Sequence, residues 1–134
     1  MASTVVPNRN AIMLSVAYGA AVSLGCSIVG AAMHSGDHTV YPDCRPEFVK
    51  AFHDMEKIAT EGFGHADLSF WTPYIEMSKA QIAALGLDLG IDYSRTWSCY
   101  KGGEIHCGRC GTCIERKEAF CLIGSKDPTE YEMR

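Results

Sequence analysis

Apolar residues recur four apart at Ile12, Val16, Ala20 and Leu24, with Leu14 and Ala17 beside them, a spacing that predicts a well-buried helix over 11–24. Asn10, in the turn Pro7-Asn8-Arg9-Asn10, is its expected N-cap, and Gly25 its expected end, because glycine enters the left-handed region without steric cost. Cys26 to Ala31 then reads as a short, wholly apolar strand of the kind buried in a parallel sheet. His34 to Cys44 is a polar loop, placed where ligands sit at the C-terminal edge of such strands. A second helix is predicted from Arg45-Pro46-Glu47, with Phe48, Phe52, Met55 and Ile58 on one side and Gly62 and Gly64 after its end. Leu68 to Thr72 alternates weakly and predicts a second strand. Ser78 and Gln81 have capping-box spacing, opening a third helix that runs to Leu89 and stops at Gly90. A terminal helix is expected over Ile114–Leu122 and a frayed tail over Asp127–Arg134. Helix, strand, helix, strand and helix in this order describe an α/β fold with a parallel sheet and right-handed crossovers.

The uncharged run from Ala11 to Met33 is long enough for a membrane span. Its Ala, Gly and Ser content, the break at Gly25 and the absence of a basic segment before it favour helix plus strand instead. A length of 134 residues is one domain's worth, and 47% apolar with 21% charged residues is the balance of a globular protein. A net charge of −4 argues against non-specific nucleic-acid binding, which needs a basic face, although a basic pocket within an acidic shell stays compatible with it.

Of seven cysteines, Cys99, Cys107, Cys110 and Cys113 fall in one short stretch, SCYKGGEIHCGRCGTC. Two overlapping Cys-x-x-Cys units bring thiolates close enough to close on one ion, and Gly102, Gly103 and Gly108 let the backbone bend around it. Four thiolates with no open position describe a structural zinc; an iron–sulfur cluster or a redox disulfide are the alternatives. His106 is able to replace one thiol, but with four available it reads as a solvent-facing loop histidine. Arg109, between two ligands, is placed to soften their negative charge, and Cys26, Cys44 and Cys121 read as ordinary buried or half-buried thiols. This clustering points to a reducing compartment, the cytosol, rather than to a secreted disulfide scaffold. Residues 1–98 thus form a partial α/β domain and 99–134 a zinc-binding segment with a terminal helix.

Tyr41-Pro42-Asp43-Cys44-Arg45-Pro46-Glu47-Phe48 is similar to a signature of the 7-cyano-7-deazaguanine synthase family. So are Val6-Pro7-Asn8-Arg9-Asn10, Gly36-Asp37-His38, Ser78-Lys79-Ala80-Gln81-Ile82, and Trp97 to Glu104 with the three cysteines that follow. The resemblance runs from about Val6 to Phe120, in order. It implies an adenine-nucleotide α-hydrolase-like, Rossmann-like fold and a cytoplasmic ligase that uses ATP with Mg. Its substrates would be 7-carboxy-7-deazaguanine and ammonia, and its product the 7-nitrile, which feeds queuosine and archaeosine. The family's Ser-Gly-Gly-x-Asp-Ser pyrophosphate loop does not occur in these residues, which correspond to roughly the second half of a full-length member.

By this resemblance zinc is carried to Cys99, Cys107, Cys110 and Cys113. Arg9 and Asn10 are candidates for nucleotide or substrate contact, against a cap and a surface arginine. Asp43 and Arg45 are candidates for the ring or its carboxylate, against a surface ion pair. Lys101 and Lys79 are candidates for neutralising phosphate, Lys79 fitting a solvated helix position better. His34 and His38 are candidates for proton transfer, against loop histidines with no task. Two functions stay open. One is the C-terminal half of the ligase, docking with an N-terminal half or with a second copy. The other is a non-catalytic, zinc-stabilised module that binds a deazapurine or a protein. Neither a membrane nor direct nucleic-acid contact is expected.

Overall fold

The computed structural model describes residues 5–133. Two compact units divide the chain between Glu76 and Met77, upstream of the change in composition at Cys99. The α/β reading holds: two strands, β1 (Ile28–Gly30) and β2 (Ser69–Trp71), pair in parallel with Val29 opposite Phe70, and helices flank them. Among the described residues the sheet has these two strands. Its ladder is extended by Ser69 N–H to the Ser27 carbonyl at 2.9 Å and Ala31 N–H to the Trp71 carbonyl at 3.0 Å.

In the first unit, α1 (Arg9–Ser23) and α2 (Pro46–Ala59) pack with this sheet. The core is Leu14, Tyr18, Ala21, Val29, Met33, Cys44, Phe52 and Leu68. Tyr18, fully buried, meets Phe52 and Phe70 edge-on at 5.8 Å, and its hydroxyl lies 3.0 Å from His53 Nδ1. Two expectations change here. The stripe Ile12, Val16 and Leu24 is the solvent face of α1, with Val16 71% exposed, while Leu14, Tyr18 and Ala21 face the core. Both stripes are apolar at helical spacing, so periodicity alone does not choose between them; the aromatic cluster around Tyr18 does. Nor is β1 buried on both sides, since Val29 points inward and Ile28 outward.

Helix α1 starts two residues earlier than expected, after Asn8, whose φ of 61° lies in the left-handed region asparagine tolerates. Asn10 is therefore inside the helix and not its cap. Its open backbone N–H is satisfied by Asp43 Oδ2 at 3.1 Å, a carboxylate brought from far along the chain to the helix N-terminus. In α2, Pro46 opens the first turn as expected, Phe52 is buried, and Ile58 is exposed.

The second unit pairs α3 (Lys79–Asp88) with α4 (Gly111–Leu122). The Ser78–Gln81 capping box is present in both directions. Gly86 is buried where a Cβ would collide with the Tyr93 hydroxyl, so glycine is required for this close approach. Tyr93 in turn meets Phe120 edge-on at 5.2 Å. The tail is not frayed. Asp127 accepts from Arg116 and Tyr131, and residues around Tyr131 pair with His106; Arg134 lies outside the described residues. No helix among the described residues is long and apolar enough to cross a membrane.

Candidate functional site

Cys99 and Cys107 are held by loop backbone, and Cys110 and Cys113 by the start of α4, where Cys110 is the N-cap. Cys99, Cys107 and Cys113 are buried and Cys110 is partly so. Their four sulfurs lie within 4.8 Å of one another. Tetrahedral Zn–S bonds of ~2.3 Å place sulfurs about 3.8 Å apart, so the donor set fits a four-coordinate ion with little adjustment.

The surrounding backbone is arranged to carry thiolate charge. Cys107 N–H points to Cys99 Sγ at 3.4 Å and Cys110 N–H to Cys107 Sγ at 3.3 Å. The Thr112 hydroxyl, 3.3 Å away, and then backbone N–H groups bring the Cys110 thiol down to about 5, and the Arg109 backbone N–H lowers Cys107. Burial pushes Cys113 the other way, so that thiol holds its proton until a metal displaces it. Gly108, at φ 71°, turns the chain between ligands, and its carbonyl accepts from Lys117 Nζ at 2.9 Å.

His106 is not a solvent-facing loop residue. It is 5% exposed, its Nε2 accepts the Ser98 N–H at 3.0 Å, and its ring stacks on Trp97 at 4.1 Å. Its backbone pairs with the tail through Glu132 N–H at 2.8 Å. Arg109 directs its guanidinium to Glu132 at 3.0 Å, so its amide rather than its charge serves the thiols. Of the remaining cysteines, Cys44 is buried, but Cys26 and Cys121 are exposed, contrary to the expectation of half-buried thiols.

Arg116 organises the rest of this unit. Its guanidinium, nearly buried, donates to both oxygens of Asp127 at 3.2 Å, to Thr96 Oγ1 at 2.7 Å, to Ser98 Oγ at 3.2 Å and to the Tyr93 carbonyl at 2.9 Å. Sequence reasoning passed over both Arg116 and Asp127, since a lone arginine on a helix carries no signal of burial. Lys79 forms an ion pair with Glu115, and Lys101 is exposed in the turn after Tyr100.

In the first unit a cleft of about 380 Å³ opens at the C-terminal end of β1. Arg9 and Asn10 line it with Asp37, Cys44 and the residues from Gly30 to Met33. Asn10 acts there through its neighbours: its Nδ2 donates to the Asp43 carbonyl and to Cys44 Sγ, both at 3.2 Å. Asp43 is engaged by the α1 N-terminus and borders a second, more apolar hollow beside Val6, Tyr41 and Phe48. Arg45 donates from Nε to the His38 carbonyl at 2.6 Å and Asp43 is held by the α1 N-terminus, so Asp43 and Arg45 do not form the surface pair considered for them. The His34 ring lies 3.2 Å from Asp37 Oδ2, and His38 Nε2 is buried with no partner among the described residues. The Cys44 thiol is raised by burial first, then by the negative charges of Asp37 and Asp43, and is a neutral group in the cleft wall.

Residues 1–124 match the family model described as queuosine biosynthesis protein QueC. A 7-cyano-7-deazaguanine synthase of Rhizobium etli is 55% identical over 134 residues, all of this chain and 56% of that relative. The Sinorhizobium fredii protein of the same name is 57% identical over 98% of the chain and 55% of its own length. That of Agrobacterium fabrum is 54% identical over the same shares. The chain thus spans about half the length of the curated relatives it matches. A family match that spans residues 1–124 of the 134 means that the chain belongs to the queuosine biosynthesis protein QueC family.

Proposed function

We propose that this chain forms the C-terminal part of an ATP-dependent ligase making 7-cyano-7-deazaguanine from 7-carboxy-7-deazaguanine and ammonia. The observation that carries this reading is the apolar stripe Ile12, Val16 and Leu24 on α1, which is exposed although an α/β layer buries such a face. The missing cover is the rest of an adenine-nucleotide α-hydrolase-like domain, supplied by an N-terminal half. The named relatives, nearly twice as long, support it.

The chemistry accounts for ATP, with Mg to offset the phosphate charge. A carboxylate is a poor electrophile, so its oxygen is adenylated with release of pyrophosphate, and ammonia then displaces AMP to give the amide. The amide oxygen is activated in turn and leaves with a second AMP, giving the nitrile. Arg9, in the cleft wall, is the cation available to a carboxylate or phosphate there. Zinc at Cys99, Cys107, Cys110 and Cys113 is structural, since four thiolates leave it no open position. A reducing, cytoplasmic setting follows from its thiolates.

Co-expression with the N-terminal segment of the Rhizobium etli relative tests this: a stable complex that forms nitrile from ATP, ammonia and the acid is expected. No complex and no nitrile would refute it. A non-catalytic deazapurine-binding module is the second reading, favoured by a cleft in which Arg9, Asn10 and Asp37 stand beside the apolar Leu14 and Met33. Calorimetry showing deazapurine binding, with nucleotide binding absent even in the complex, would select it.

A further inference from the structure

The cleft at the end of β1 has an acidic wall residue that is neither Asp43 nor part of the cysteine site. Asp37 closes the short helical turn Ser35–Asp37 in the loop that follows β1. His34 Nδ1 accepts the Gly36 N–H at 3.2 Å, so in the neutral ring the proton sits on Nε2. That nitrogen lies 3.2 Å from Asp37 Oδ2, and the His34 side chain is 13% exposed, so the carboxylate is fixed in direction by a nearly buried partner. Asp37 itself remains 30% exposed toward the cleft, and no other side-chain donor among the described residues reaches it.

We propose that Asp37 accepts hydrogen bonds from the ring N–H and the exocyclic amino group of the 2-aminopyrimidinone edge of a deazaguanine, making it a specificity-determining residue of this site. The inference rests on the deazapurine reading above and assigns the part of the substrate that the cleft holds. A carboxylate only accepts, and its two oxygens match two adjacent parallel N–H donors; the bond from His34 uses one lone pair of Oδ2 and leaves others. A guanine-like edge presents such a pair. An adenine edge sets a donor beside an acceptor and would turn a lone pair toward Asp37, so this cleft takes the base substrate and not the adenine of ATP. The rest of the wall agrees, with Leu14 and Met33 offering apolar surface to a flat ring. Cys44, a neutral thiol held by Asn10, adds no competing charge. Arg9 in the same lining disfavours a metal cation as the occupant.

The test is a cycle that changes one group on each partner. The chain, mixed with the N-terminal segment of the Rhizobium etli relative, is titrated calorimetrically with 7-carboxy-7-deazaguanine and with its analogue lacking the 2-amino group. Wild type is expected to prefer the amino compound by about 10- to 100-fold, the scale of a hydrogen bond to a charged group. Asp37→Asn and Asp37→Ala are expected to abolish that preference while changing affinity for the deamino compound by less than about 3-fold. If wild type binds both compounds equally, or if the preference survives both substitutions, the assignment of Asp37 is wrong and the deazapurine reading stands. If wild type binds neither, the deazapurine reading itself fails and takes the assignment with it. The wild-type comparison does not depend on how well the variants fold.

Discussion

Around Tyr18 the first unit builds its interior from aromatic and aliphatic side chains, whereas the second arranges its buried groups around Cys113 and Arg116, with Ala83, Ala119 and Phe120 as the principal apolar fill. The difference follows from what each stretch of chain offers. Residues 5–76 have enough large apolar side chains for a core and leave several of them in solvent, Ile12, Val16, Leu24 and Ile28 among them. Residues 77–133 bury few large apolar groups, so close packing there is supplemented by sulfur donors and a nearly buried guanidinium bonded through all three of its nitrogens. Small domains with limited apolar burial commonly need such a staple. The first unit therefore has a surplus of apolar surface in solvent, and the second has a deficit offset by specific bonds.

The largest test of that contrast is Cys113→Ser, or a strong chelator on the native chain. Structural zinc contributes on the order of 10 kcal/mol in small metal domains, so the second unit should lose its slow-exchanging amides while those around Tyr18 keep theirs. Hydrogen exchange resolved by peptide measures this, and equal loss in both units would remove the contrast. Cys110→Ser should act in the same direction.

Next is Arg116→Ala, which leaves Asp127 buried without its cation and should cost about 3–5 kcal/mol, the scale for breaking a buried pair from one side. Chemical denaturation of the metal-loaded chain reads it. A loss below ~1 kcal/mol would mean that the pair behaves as a surface one.

Acid provides a smaller, graded effect through Asp127. Burial, the strongest single influence, raises its carboxyl, but the Tyr131 hydroxyl, Thr129 and Arg116 together outweigh it and leave the group below the usual carboxylate range. A carboxyl depressed in the folded state contributes stability that is complete above the unfolded value of about 3.9 and disappears as pH falls through the folded value. Melting of wild type should therefore fall more steeply than that of Asp127→Asn as acid is added below about pH 4. Parallel curves would show that Asp127 is not depressed.

The smallest change in stability is expected from Val16→Ser, within about 0.5 kcal/mol in the chain alone because the side chain is already in water. The same substitution should weaken assembly with an N-terminal segment. A large loss of stability in the isolated chain would show that this face is already covered.

These contrasts also mark what the sequence made legible. The capping box at Ser78, the turn at Gly90 and the four-thiol spacing were readable because each depends on residues close together in the chain. The inward face of α1 was not, because Leu14, Tyr18 and Ala21 share their period with the more regular stripe that faces solvent. The contact of Asp43 with the start of α1 was not legible either, because nothing local reveals that it caps a helix from another part of the fold. Arg116 and the tail escaped for a related reason: an arginine among polar helix residues and a charged final stretch look solvated until they are seen to satisfy each other. Asp37 was in view within Gly36-Asp37-His38, but its role depends on the His34 ring and on a cleft no motif describes.

The pairing of His106 with the stretch around Tyr131 has a consequence for biosynthesis. Because the chain emerges in order, Cys99 and Cys107 leave the ribosome before the residues that lean against them, and for that interval their sulfurs have neither their wall nor, in Cys110 and Cys113, their fellow donors. The nascent thiols are then open to oxidants and to the wrong ion, so reducing conditions during translation matter more to this half of the molecule than to the one around Tyr18.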